Sequence, residues 1–249
     1  MSSDVSQMVS PPRVTSYFKL PLVSFVIPTL NEANNLPHLL PRIPDWAYEV
    51  IIVDGRSTDS TVEVARQLRH DVRVVLERQR GKGAALRAGF RAARGEIIVI
   101  LDADGSMAPE EAVVFLGALL AGADLVKGSR NMQGAGSDDI SFFRDLGNRG
   151  LTKIVRLLYG CKFTDLCYGY MAFWARHIDC LGCDCDGFEI DTLINVRALK
   201  NKLKIVEVAS FESPRISGNS NLRAIPDGFR VLRTILREWL VAPRRSRRG

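Results

Sequence analysis

The chain has 249 residues, 46% of them hydrophobic, and a formal net charge of +6. That is enough apolar material for one large α/β domain, and the longest small-and-apolar stretch, Ala112 to Ala123, falls well short of the roughly 20 residues needed to cross a bilayer. Five cysteines, without a secretory pattern in residues 1–19, point to free thiols in a reducing, cytoplasmic compartment. Cys180, Cys183 and Cys185 lie close together, yet no second well-spaced Cys or His pair completes a zinc set.

Residues 1–19 read as a disordered arm, 20–242 as a single domain and 243–249, with Arg244, Arg245, Arg247 and Arg248, as a solvated basic tail. Leu22 to Ile27 is the first strand, ended by Pro28, and Asn31 to Leu36 looks like a helix entry. Val50 to Val53 is a second buried strand ending at Asp54, and a turn leads into a helix near Ser60 to Leu68. Val72 to Leu76 is a third strand, followed by Gly81-Lys82-Gly83 and a helix through about Ala93. The run Ile97 to Leu101 is apolar and β-branched, the pattern of a strand covered on both faces. A helix over Glu110 to Ala121 and a strand over Leu125 to Gly128 complete an alternation that argues for a parallel, doubly wound sheet.

The second half predicts helices near Ile140 to Leu158 and Ile190 to Lys200, a strand at Leu203 to Val208, and a last helix from about Pro226 to Leu240. In that last helix Phe229, Leu232, Ile235, Leu236 and Trp239 recur at helical spacing, with Arg230, Arg233 and Arg237 elsewhere. The stripe fits either a core-facing helix or an interfacial one lying on a membrane.

Chemistry concentrates at the strand ends. Asp102 and Asp104 stand one residue apart at the carboxyl end of a buried strand, where ligands of open α/β sheets gather. Their hard oxygens suit Mg2+ or Mn2+ bridging protein to phosphate. Asn31/Glu32, Asp54 and Arg130 fall at other strand ends, so four separate segments deliver polar groups to one edge.

Pro28-Thr29-Leu30-Asn31-Glu32, Val53-Asp54-Gly55-Arg56-Ser57-Thr58-Asp59, Gly81-Lys82-Gly83, Asp102-Ala103-Asp104 and Gly128-Ser129-Arg130, in that order, resemble the family 2 glycosyltransferases, most of all the dolichyl- and polyprenyl-phosphate mannosyltransferase branch. The resemblance implies a GT-A nucleotide-diphospho-sugar transferase fold, a mainly parallel Rossmann-like sheet flanked by helices. Residues 22–130 would form the nucleotide-sugar half and 131–242 the acceptor half. Pro28, Leu30 and Glu32 would border the nucleoside with Asp54 beside it. Asp102, Ala103 and Asp104 would meet ribose, metal and diphosphate, while Lys82, Arg130, Arg144 and Arg215 would serve the phosphates.

Two departures from the branch bear on the donor. Asp54-Gly55 stands where many relatives have paired aspartates, and Ser106 takes the metal-side place where glutamine is usual. UDP-hexoses therefore stay open beside GDP-mannose. The expected reaction is an inverting, metal-dependent hexosyl transfer to a polyprenyl or dolichyl phosphate, by a protein peripheral on the cytoplasmic membrane face. A hydroxyl acceptor is the alternative; it needs a base, for which Glu189 or Asp191 is placed. A non-catalytic nucleotide or nucleic-acid module is the remote alternative. Against it, Gly81-Lys82-Gly83 lacks phosphate-loop spacing, and aromatics are not interleaved with basic residues as in single-strand readers, so no nucleic-acid partner is expected. The sequence sets no oligomeric state.

Overall fold

The computed structural model describes residues 20–241; the expected arm at 1–19 and the basic tail at 243–249 lie outside the described residues. In chain order the elements are β1 (Val23–Thr29), α1 (Leu36–Leu39), β2 (Glu49–Asp54), α2 (Thr61–Leu68), β3 (Arg73–Leu76), α3 (Lys82–Ala92), β4 (Ile97–Ile100), α4 (Ala112–Leu120) and β5 (Leu125–Ser129). There follow β6 (Gly136–Ser137), α5 (Phe142–Tyr159), β7 (Met171–Trp174), α6 (Ile178–Leu181), α7 (Ile190–Lys200), β8 (Ile205–Ala209), β9 (Phe211–Glu212) and α8 (Ala224–Leu240). Seven strands form one sheet in the order β3-β2-β1-β4-β7-β5-β8, and β6 pairs with β9 in a small second sheet.

β4 shows why the apolar run makes a central strand. Ile97 and Val99 enter one core with Phe25, Leu36 and Phe115, whereas Ile98 and Ile100 enter the other with Leu86, Phe90 and Leu193. Both faces are covered, which is the setting of a parallel sheet with helices above and below. The chain winds outward from β1 through β2 to β3, then returns through α3 to β4 on the other side of β1. The order therefore reverses between β1 and β4, and the crevice beyond their carboxyl ends is the place where such sheets bind ligands.

The sheet is not wholly parallel, as the alternation of elements had suggested. β7 runs antiparallel between β4 and β5. It is four residues long, with Met171, Ala172 and Phe173 fully buried, so it offers neither the length nor the alternation by which a strand announces itself. Pro28 does not end β1 either, because the strand continues to Thr29.

A third core joins α5, α7 and α8 through Val155, Phe163, Leu166, Val196, Val231 and Ile235. α7 lies between this layer and the sheet, so even Asp191, Thr192, Asn195 and Arg197 are buried on it. α5 begins at Ser141, whose hydroxyl accepts the Arg144 amide at 3.4 Å, and ends at Gly160 in the left-handed region with φ 67°.

α8 leaves most of its apolar stripe outside the core. Of Phe229, Leu232, Ile235, Leu236 and Trp239, Ile235 alone is buried, while Phe229 and Trp239 are 68% and 53% exposed. The inward face instead carries Asp227, Val231, Thr234, Ile235 and Glu238. Glu238 is held by Arg197 at 2.8 Å and Lys200 at 2.7 Å, both from α7. Burial pushes its carboxyl up, but the hydrogen bonds from those two cations outweigh this and hold it down at about 2.

Candidate active site

A cleft of about 740 Å³ opens at the β1/β4 switch point. Six acids (Glu32, Asp102, Asp104, Asp139, Asp191, Glu212) and six cations (Arg56, Arg80, Lys82, Arg130, Arg144, Arg215) line it. Its formal charge is thus near zero, so anion binding there depends on which cations are already committed and to what.

At the end of β1, Pro28, Leu30 and Glu32 all line the cleft. The Glu32 backbone carbonyl accepts the Asn35 amide at 2.9 Å, starting α1, while its amide donates to Thr61 Oγ1 at 2.8 Å. The buried Glu32 carboxyl accepts Arg215 Nη1 at 3.1 and 3.2 Å. Burial pushes its pKa above the ordinary value, against the pull of Asn35 and Arg215. Asn31 adopts φ 59° and its Oδ1 accepts the Thr58 amide at 2.7 Å, which ties the β1 and β2 loops together.

Asp54, expected beside the nucleoside, ends β2 just before the cleft-lining Gly55 and Arg56. It is buried and is not among the cleft-lining residues. Its carboxylate accepts the amides of Arg56 and Ser57, both at 3.1 Å, and so shapes the turn that presents Gly55, Arg56 and Thr58. The Asp54 side chain is thus engaged by its own loop.

Beyond β4, Asp102, Ala103 and Asp104 form the floor. Asp104 Oδ1 accepts both the Ser106 amide at 3.1 Å and the Ser106 hydroxyl at 2.7 Å, and Oδ2 meets Arg215 Nη2 at 3.2 Å. Ser106 thereby aims Asp104. The same turn pins the segment carrying Arg215, because Ser213 donates to the Ser106 carbonyl at 2.9 Å and Ile216 to that of Asp104 at 3.2 Å. Gly105 has φ 78°, and a Cβ there would run into Ile216.

Lys82 is buried and bridges Asp102 Oδ1 at 2.8 Å and Asp191 Oδ2 at 3.0 Å. Burial lowers its pKa, but the two carboxylates raise it further, so it is a permanent cation. The glycines around it serve this contact. A Cβ on Gly81 would strike the Asp186 carbonyl and one on Gly83 the Cys185 carbonyl. The amide of Gly83 itself donates to Asp186 O at 2.8 Å. The start of α3 is therefore docked onto the segment before α7, which brings Lys82 to Asp191.

Asp191, on the first turn of α7, and Phe188 line the cleft; Glu189, the residue that caps the start of that helix, does not. Its Oε1 accepts the Gly187 amide at 3.3 Å. Arg130 lies in the cleft wall, bound by Asp165 through Nε at 2.7 Å and Nη2 at 3.1 Å and by Glu212 through Nη1 at 3.0 Å. Tyr168 stacks on its guanidinium at 4.8 Å. Arg144 lines the rim and meets Asp139 at 3.6 Å.

Three contributors went unread in the sequence: Asp165, Gly169 and Glu212. Gly169 offered the best signal, an isolated glycine ahead of an apolar run, which marks close approach of backbone. A Cβ there would lie 2.6 Å from Lys82 Nζ and 3.3 Å from Asp191 Oδ2. Asp165 and Glu212 have no local pattern, since their partner Arg130 is distant in the chain.

Among the described residues no group of three or more His, Cys, Asp or Glu side chains is arranged to hold a metal ion. The residues fit a more open arrangement. Asp104 Oδ2 faces the cleft with a cation already against it, and magnesium-like ions take one or two protein carboxylates and complete their shell with phosphate oxygens and water.

The open sheet with its polar crevice at the β1/β4 reversal has the GT-A arrangement expected above, shared with solved glycosyltransferase structures. The family model "Glycosyl transferase family 2" matches residues 24–182, and the chain belongs to that family. A dolichol-phosphate mannosyltransferase from Pyrococcus furiosus is 31% identical over 225 residues, covering 86% of this chain and 63% of that protein. A polyprenol monophosphomannose synthase from Mycolicibacterium smegmatis is 34% identical over 210 residues, 79% of each chain. Among solved structures, glucosyl-3-phosphoglycerate synthase from Mycobacterium tuberculosis, in complex with Mn2+, UDP-glucose and phosphoglyceric acid, aligns with TM-score 0.69 at 25% identity over 88% of this chain and 80% of that one.

Proposed function

We propose that the protein transfers a hexose from a nucleotide sugar, GDP-mannose or a UDP-hexose, to a polyprenyl or dolichyl phosphate, with inversion at the anomeric carbon. The observation that carries this reading is Arg215 spanning Glu32 and Asp104. One guanidinium joins the carboxylate that the family resemblance assigns to the nucleoside to the one that it assigns to the diphosphate. The names of the Pyrococcus and Mycolicibacterium relatives support the same acceptor class.

In this reading Asp104, with Asp102 and Ser106, would hold Mg2+ or Mn2+, and the metal would supply charge neutralisation for the leaving diphosphate. Arg215 leaves the carboxylates for the phosphate oxygens as the anomeric carbon–oxygen bond breaks, stabilising charge where it develops. Lys82 keeps Asp102 oriented. Arg144, at the rim next to Phe142 and Phe143, receives the acceptor phosphate. That phosphate is ionised near neutral pH and attacks without a general base, so neither Glu189 nor Asp191 has to remove a proton.

The exposed face of α8 supports peripheral attachment to a membrane. Ile225, Phe229, Leu236, Trp239 and Leu240 are all exposed, and Arg230, Arg233 and Arg237 border them, the composition of a helix lying in a lipid interface. No helix among the described residues is long and apolar enough to cross a membrane. The test is transfer of label from a panel of GDP- and UDP-sugars to polyprenyl phosphate in detergent, with Mg2+ or Mn2+ and with chelator. Lipid-extractable label that chelator abolishes is the expected result. Nucleotide release without labelled lipid moves the acceptor to a hydroxyl compound, and metal-independent transfer removes the metal from the account.

A further inference from the structure

Among the described residues, Asp139 is the one cleft-lining carboxylate that touches two of the cleft arginines at once. Its Oδ1 accepts the backbone amide of Arg215 at 3.3 Å, and its Oδ2 meets Arg144 Nη1 at 3.6 Å. The two contacts differ in kind. The first holds main chain and so sets where the Arg215 side chain starts. The second holds a guanidinium, whose fork of five donors keeps others for a phosphate oxygen.

Asp139 stands in the short link between β6 and α5. β6 pairs with β9 in the register Ser137 to Glu212, and the next amide, that of Asp138, donates to the Glu212 carbonyl at 2.9 Å. The Asp139 amide then donates to Ser137 Oγ at 3.3 Å, and that hydroxyl itself donates to the Glu212 carboxylate. The link is thus pinned to the strand that leads into Arg215, and its carboxylate spans from there to the first turn of α5, which carries Arg144. Asp139 and Arg144 are 29% and 28% exposed. A pair this open adds little to stability, so its value lies in where it puts the two arginines.

We propose that Asp139 is a positioning residue that ties the two phosphate-handling arginines together and so lines the acceptor phosphate up with the leaving diphosphate. This rests on the reading above, in which Arg215 serves the leaving group and Arg144 the acceptor. Holding two reactants in register lowers the barrier by more than the strength of either contact. The sign of the effect separates this role from simple charge. Removing a carboxylate beside Arg144 makes the rim more positive, and on Coulombic grounds alone an anionic acceptor would then bind more tightly. Loss of positioning does the opposite.

The test uses the full chain, polyprenyl phosphate and the donor found by the panel. Asp139→Asn keeps an oxygen for the Arg215 amide but sets an NH2 group against Arg144, so it removes one arm of the tie. The expected result is a rise of about fivefold in KM for polyprenyl phosphate, larger than any change in KM for the donor. Asp139→Ala removes both arms and is expected to add a fall of about tenfold in kcat. In an Arg144→Ala background the acceptor effect of Asp139→Asn disappears, because the two residues act through one contact. A thermal melt confirms that each variant is folded, and the Asn variant with its double-mutant cycle carries the test if the Ala variant is not. An unchanged or lower acceptor KM in Asp139→Asn overturns the proposal. So does an equal effect with and without Arg144, which is the signature of a purely structural residue. Those two results leave sugar transfer to a lipid phosphate intact. Failure of the wild type to label polyprenyl phosphate overturns the underlying reading, and this assignment with it.

Discussion

The crevice at the β1/β4 switch point and the helical layer of α5, α7 and α8 use charged residues in opposite ways. In the crevice, Glu32, Asp104 and Arg215 meet across segments far apart in sequence, at a surface open to a ligand. In the helical layer, Glu238, Arg197 and Lys200 meet under α8, sealed from solvent, while phenylalanine, tryptophan and leucine side chains face outward. An ion pair at a mouth is available for exchange with substrate. One beneath a helix fixes which face of that helix is turned out.

The comparison breaks most sharply at Asp104. Asp104→Asn removes a charge from the crevice and is expected to cut turnover by about 10³-fold with little change in melting temperature. Steady-state rates and a thermal melt check both halves, and full activity removes Asp104 from the metal site. Arg215→Ala is expected to cost about 10²-fold in kcat, measured under saturating donor. A change confined to KM would place Arg215 in ground-state binding only.

On the other side, Glu238→Gln is expected to cost about 3 kcal/mol of stability by leaving buried cations unpaired, with activity per folded molecule retained. The folded carboxyl titrates at about 2 against an ordinary 4.5, so its stabilisation is fully present above 4.5 and is lost as pH falls through 2. Denaturant melts of wild type and variant should therefore converge across that interval; a constant difference down to pH 2 contradicts the assignment. The smallest effect belongs to the exposed stripe. Phe229→Ser with Trp239→Ser is expected to shift stability by less than about 0.5 kcal/mol while weakening binding to anionic vesicles about tenfold, read by flotation. Unchanged flotation removes α8 from the membrane.

These regions also differ in how much of them the sequence disclosed. The crevice follows from local pattern: buried strands end in Glu32 or Asp102-Ala103-Asp104, and the alternation with helices brings those ends to one edge. Asp54 ends β2 at that edge, and its carboxylate accepts the amides of Arg56 and Ser57, a turn preference that competes with ligand binding. Glu189 and Asp191 look equivalent in the sequence, and the structure puts only Asp191 in the cleft lining. The α8 stripe was visible, yet its direction was not. Hydrophobic periodicity gives a face without saying what covers it, and here the ion pairs between Glu238 and α7 turn that face outward. β7 and the Asp165–Arg130–Glu212 cluster depend on long-range pairing that leaves no mark in a local window.

The central claim is that the crevice does the chemistry while the outward face of α8 brings it to a lipid-borne acceptor. The most direct test is sugar transfer to polyprenyl phosphate embedded in anionic vesicles, against the same acceptor in detergent, for wild type and the Phe229→Ser, Trp239→Ser double variant. The account predicts equal rates in detergent and a loss of about tenfold for the variant on vesicles. Equal rates on vesicles as well would contradict it.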